Sequence, residues 1–142
     1  MRLTPIPSIL VALGIVLGGS PVCAQPAATY QPGFWQPRVR INPRQPLQVR
    51  IENRLAARVD YENVENQTVS RPIPAGQDLT LVLAVPSLIN IVTPPPFLEI
   101  STLFDLTVEA NNTLVIRVRE SQDYFGGERV VQVDPQGGVY VF

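Results

Sequence analysis

Histidine and lysine are both absent from the 142-residue chain, and all eleven basic residues are arginine. Without histidine, the usual general base, the Ser-His-Asp and Cys-His arrangements and most transition-metal sites are excluded. Without lysine there is no Schiff-base or P-loop chemistry. Cysteine is confined to Cys23. Long apolar runs are missing too: Ile9 to Leu17, even extended by Gly18 and Gly19, falls well short of the roughly 20 residues a transmembrane helix needs. Convincing helical periodicity is lacking beyond the first residues, and fifteen prolines are scattered too densely for long helices.

The short apolar run follows Arg2 and precedes Val22-Cys23-Ala24, the layout of a cleavable secretory signal, here expected to form a helix. Cleavage between Ala24 and Gln25 removes 24 of 142 residues and leaves a chain of 118, within the size of one domain. The expected location is the periplasm or the outside of the cell, with no membrane span after cleavage. The mature chain would have no thiol, so disulfides, zinc thiolates, blue copper and cysteine nucleophiles are excluded. A competing reading lipidates Cys23 as the first residue of a lipoprotein. It fits poorly, because Val22 stands where that pattern wants Gly, Ala or Ser.

Charge is sorted along the chain. From Arg38 to Arg71 seven arginines face four acids, whereas from Pro72 onward three arginines face eight acids. Basic strands of the first half pairing with acidic strands of the second explain this, each pair contributing a few tenths to about 1 kcal/mol. The alternative is a basic face for an anionic glycan or lipid surface. Removal of Arg2 leaves ten arginines against twelve acids, a balance that argues against nucleic acid as partner.

Strand periodicity dominates the mature chain. Leu47, Val49 and Ile51 alternate with Gln48, Arg50 and Glu52; Val39 and Ile41 alternate with Arg40; Val59 and Tyr61 alternate with Arg58, Asp60 and Glu62. Leu79 to Val85 is apolar on both faces and reads as a central strand. Phe104, Leu106, Val108 and Ala110 are expected inward, as are Leu114, Ile116 and Val118 after a hairpin turn at Asn111-Asn112, since asparagine tolerates positive φ. "RVVQV" and "VYVF" flank the turn composition Asp134-Pro135-Gln136-Gly137-Gly138. The expected core is Val49, Ile51, Leu81, Leu83, Leu106, Val108, Ile116 and Val118. The fold class is therefore all-β, a single antiparallel β-sandwich of about seven to nine short strands over residues 38–142. It follows a leader (1–24) and a Pro/Gln-rich strap (25–37).

The turn "RPIPAGQ", the preceding "IENR" and the segment "YQPGFWQP" resemble small exported immunoglobulin-like β-sandwich proteins, and more narrowly uncharacterised secreted proteins of cyanobacteria. The resemblance covers most of residues 30 to 142, implies fold and compartment, and transfers no active site. The Cys, Trp and Cys framework of antibody domains is missing, and so are the ligands of cupredoxins.

Several local features admit a bolder reading. Asp105 with Glu109 lie about 13 Å apart along a strand, a solvated face rather than an acid–base pair. Asp134 lacks the alternating oxygen ligands of a calcium loop. Phe142 ends the chain as an outer-membrane barrel strand does, but the strands are shorter than the roughly nine to eleven residues needed to span. The expected function is a non-enzymatic binding or structural module of the periplasm or envelope, with no cofactor and no metal. Its partner would be an envelope glycan or another envelope protein, met through Tyr30, Phe34, Trp35, Arg38, Arg40 and Arg50. Dimerisation by edge-strand addition is a further expectation, with "VYVF" as the strand. The alternative is an enzyme accessory or a glycan-active enzyme using carboxylates such as Glu62, Glu65 or Asp123. The strap aromatics are expected to seal the sandwich core rather than stack on sugars.

Overall fold

The computed structural model describes residues 36–64, 70–96, 100–122 and 127–142, all of them in one compact unit. The leader, the strap as far as Trp35, and with them Tyr30, Phe34 and Trp35, lie outside the described residues, as do Glu65 and Asp123. No helix among the described residues is long and apolar enough to cross a membrane.

The described chain is all-β. Its strands are β1 (Val39–Arg40), β2 (Leu47–Asn53), β3 (Val59–Asn63), β4 (Arg71–Ile73), β5 (Asp78–Leu83), β6 (Ser87–Val92), β7 (Thr102–Glu109), β8 (Thr113–Glu120), β9 (Val130–Val133) and β10 (Gly138–Val141). A six-stranded sheet runs β1-β10-β9-β6-β3-β4 and a four-stranded sheet runs β5-β2-β8-β7. One hydrophobic core joins them, with Leu47, Val49 and Ile51 of β2 and Leu114, Ile116 and Val118 of β8 on one side. Val59 and Tyr61 of β3, Ile89 and Ile91 of β6, and Val131, Val133, Val139 and Val141 of β9 and β10 lie on the other. Alternation places them there: each buried residue is separated from the next by an outward one. The arrangement is consistent with a β-sandwich.

Two turns form as their residues dictate. Asn111 and Asn112, at φ 61 and 58, close the β7–β8 hairpin. At the β9–β10 turn Gly137 has φ +82, and a Cβ there would meet the Ile41 carbonyl oxygen at 2.3 Å, so conformation and space both demand glycine.

Five expectations are corrected. The sheets are not wholly antiparallel: β2 and β8 pair in parallel, Gln48↔Thr113 through Asn53↔Val118, which the long connection through the other sheet permits. Among the described residues ten strands form: β1 was read from its alternation, whereas β4, three residues long, is too short to show a period, and β6 is a further strand. "LTLVLAV" is an edge strand, not a central one; Val82 on its outward side is 67% exposed, and Leu81 is only partly buried. Val108 and Ala110 are exposed, because β7 is also an edge, with β8 on one side and no strand on the other among the described residues. "VYVF" is not an open edge: β10 lies between β9 and β1, with Val39↔Val139 and Arg40↔Gly138 in register.

Candidate functional site: the charged face of the four-stranded sheet

The outward face of the four-stranded sheet gathers the charged chemistry of the described chain. The register sets Asp78 of β5, Glu52 of β2, Arg117 of β8 and Asp105 of β7 in one row across the strands. Arg50 and Thr80 share the next row with Val115 and Thr107. Outward alternation alone puts these side chains on one surface.

Glu52 is the centre of this surface. Its side chain is only 7% exposed, and its carboxylate meets Arg117 Nε at 2.9 Å, Arg54 Nη2 at 3.2 Å and Arg50 Nε at 3.3 Å. The hydrogen bond from Arg117 holds the Glu52 carboxyl below its ordinary value; burial opposes this, and the charges of Arg117 and Arg54 reinforce it. Around this centre, Arg50 reaches over β8 to Glu109, Arg54 Nη1 lies 2.8 Å from Asp78, and Arg119 Nε lies 2.7 Å from Asp105. Those carboxylates raise the affinity of Arg50, Arg54 and Arg119 for their protons through the same hydrogen bonds. The arginine stems cover neighbouring strand surface, which is why Val115 is 2% exposed although it points outward. Four arginines meet four carboxylates, and the face is neutral.

A second buried carboxylate, Glu128, ties the two sheets together at β1 and β7. It accepts hydrogen bonds from Arg38 Nη2 at 2.6 Å and from the Phe104 N–H, and its own N–H donates to the Thr102 carbonyl. Asp134 organises the β9–β10 turn by accepting from the Gln136 and Gly138 N–H groups and from the Tyr140 hydroxyl. Burial alone would raise its carboxyl, but those donors outweigh burial and hold it below the ordinary value. The charge of Arg40 adds to the same effect.

The sequence candidates are not brought together. Arg38 is bound to Glu128 at one side of the six-stranded sheet, and Arg40 stands exposed on that sheet's outward face opposite Gly138. Arg50 belongs to the other sheet and is committed to Glu52 and Glu109. No single basic face forms from these three; the opposite charges of the two halves instead pair, as Arg38–Glu128, Arg50–Glu109 and Arg54–Asp78. Asp105 and Glu109 each hold their own arginine. Glu62 sits half-buried opposite Asn90. Among the described residues, no group of three or more His, Cys, Asp or Glu side chains is placed to hold a metal ion.

Sequence reasoning missed Glu52, Glu128 and two buried asparagines. Asn53 donates to the carbonyls of Ala57, Ile73 and Pro74, and Asn112 donates to those of Asn42, Gln45 and Pro46. The positive-φ turn was the only local signal for Asn112. Each of the other three has at least one partner distant in sequence, Arg117 for Glu52, Ile73 for Asn53 and Arg38 for Glu128, which periodicity does not reveal. No family model, no curated protein and no solved structure matches the chain.

Proposed function

We propose that the chain is a non-enzymatic binding or structural module, exported to the periplasm or cell envelope and built as an immunoglobulin-like sandwich. The observation that carries this reading is the use made of the two buried carboxylates among the described residues. Glu52 and Glu128 are both bound by arginine and act as ties between strands. A general acid needs a carboxyl whose proton is retained near neutral pH, and the arginines hold Glu52 in the opposite state. The immunoglobulin-like character is supported by short strands in two sheets around one core, and the parallel β2–β8 pair is its departure from the all-antiparallel form. Binding would then use surface rather than cleft: the exposed Arg40 and the strap aromatics Tyr30, Phe34 and Trp35, against an envelope glycan or envelope protein.

Affinity capture on the immobilised mature protein from envelope extract tests the reading, with Arg40→Ala and Trp35→Ala variants alongside. Retention of a defined glycan or protein that weakens in either variant is the expected result. Turnover of envelope glycan by the purified protein would overturn it.

A further inference from the structure

The four sheet edges are not equivalent. At β1 only two residues pair, and Pro37 and Pro43 flank them; β4 has three residues, one of them Pro72, which has no N–H to offer. At β7, the Ser121 N–H to Ser101 carbonyl bond sets the phase of the ladder, so that Thr102, Phe104, Leu106 and Val108 turn their backbone groups outward. Glu128 occupies the first two of these, through its N–H to Thr102 and its carboxylate on the Phe104 N–H. Short strands, prolines and inserted charges are the devices that keep sheet edges from pairing.

Edge strand β5 carries none of them. The Asn53 N–H to Gln77 carbonyl bond, 2.9 Å, continues its ladder with β2 and fixes the phase: Leu79, Leu81 and Leu83 bond to β2, while the N–H and C=O groups of Asp78, Thr80 and Val82 point away from it. Among the described residues no strand pairs on that side. Val82 is 67% exposed, and Leu79 and Leu81 are only partly buried against the core. Its single charge, Asp78, is already met by Arg54 at 2.8 Å.

We infer that β5 is a strand-addition edge whose occupant is β5 of a second copy of this chain, paired antiparallel about a two-fold axis at Thr80. That register satisfies every outward backbone group, Thr80 with Thr80 and Asp78 with Val82. It sets Leu79 against Leu81 on the core side, and threonine faces threonine on the other, both favourable cross-strand pairs. Charge fits as well: the two Asp78 side chains fall about 13 Å apart, four strand residues, and each keeps its own arginine. A partner strand must alternate leucine with small or polar residues, and β5 itself has that pattern in Leu79, Leu81 and Leu83. One strand pair covers less than the roughly 800 Å² per partner of a stable interface, so the dimer forms only at high local concentration. The inference rests on reading the chain as a binding or structural module.

Sedimentation of the exported protein from about 1 μM to about 1 mM is the first measurement, and a concentration-dependent shift from monomer to dimer is expected. Thr80→Pro removes an N–H that bonds to nothing within the sheet and should abolish the shift; Thr80→Lys, which sets like charges face to face on the axis, should do the same should the proline variant fail to fold. In a Cys23→Ser background, Thr80→Cys should cross-link under mild oxidation, since directly opposed Cα atoms about 5.5 Å apart lie within disulfide reach, and Thr107→Cys on β7 should not. A monomer at every concentration, or a dimer that persists in Thr80→Lys, overturns the inference. Binding of a foreign alternating-leucine peptide by a chain that stays monomeric overturns it equally, by naming another occupant. Enzymatic turnover would sink the functional reading and leave these outcomes unaffected, so the two failures are distinguishable.

Discussion

Buried asparagine turns the corners of this molecule. Asn53, fully buried, fills its amide with the carbonyls of Ala57, Ile73 and Pro74 at 2.9 to 3.1 Å and accepts the Leu55 N–H at 3.0 Å. The side chain thereby fixes the exit from β2 against the β4–β5 turn, at the side of the molecule where the chain passes between sheets. Asn53→Ala takes the donor from the Ala57 and Ile73 carbonyls and the acceptor from the Leu55 N–H, while the Pro74 carbonyl keeps the Gln77 N–H; each buried group left without a partner costs about 1–3 kcal/mol. A loss of at least about 2 kcal/mol is expected in urea denaturation, against under about 0.5 for Gln132→Ala on the exposed surface. Trp35, the sole tryptophan, provides a second residue-scale test. If the strap seals the core, its emission is blue-shifted, shielded from iodide and lost cooperatively on unfolding. Red-shifted, freely quenched emission that responds to envelope glycan would assign Trp35 to binding instead.

At the scale of the element, burial depends on neighbours as much as on pattern. Ile116 of β8 has strands on both sides and no exposed surface, whereas Val108 of β7 has the same inward phase and is 38% exposed. Ile116→Ala should therefore cost about 2–5 kcal/mol, and Val108→Ala under about 1; equal losses in chemical denaturation would show that β7 is covered. The same contrast explains what the sequence disclosed. Alternation in "LQVRIE" and "TLVIRVRE" was legible because both strands have one face on the core and the period is local. The double-sided apolarity of β5 pointed to the interior, but its outward Val82 marks an edge. The parallel match of β2 with β8 was not legible at all, since the register of strands far apart in the chain leaves no local trace. For the same reason Arg50 read as a partner contact and Glu52 and Arg117 carried no signal of their own, although in register the three form one ion-pair cluster.

For the molecule as a whole, export is the first property to test: the intact mass of the exported protein should correspond to cleavage between Ala24 and Gln25. A retained leader would reject the signal reading, and a diacylglyceryl adduct on Cys23 would establish the lipoprotein. Acid stability follows from the charge inventory. The carboxyls of Glu52 and Asp134 are held below their ordinary values in the folded state. Their stabilisation is therefore complete above the unfolded carboxyl pKa of about 4 and is lost as pH falls through the lower folded values. Arginine does not titrate in that range, so protonation of Glu52 leaves Arg50, Arg54 and Arg117 gathered round a neutral carboxyl. Repulsion among them adds to the lost pairing, and at about 0.5 M salt it is screened over a few ångströms. The melting temperature is thus expected to fall steeply below about pH 4 and to be partly restored by salt at pH 3. Glu52→Gln should melt lower than the wild type at pH 7 yet lose less on acidification, because it has already lost the charge that titrates. A melting temperature unchanged down to about pH 2.5 would show that the arginine-bound carboxylates contribute nothing to the fold.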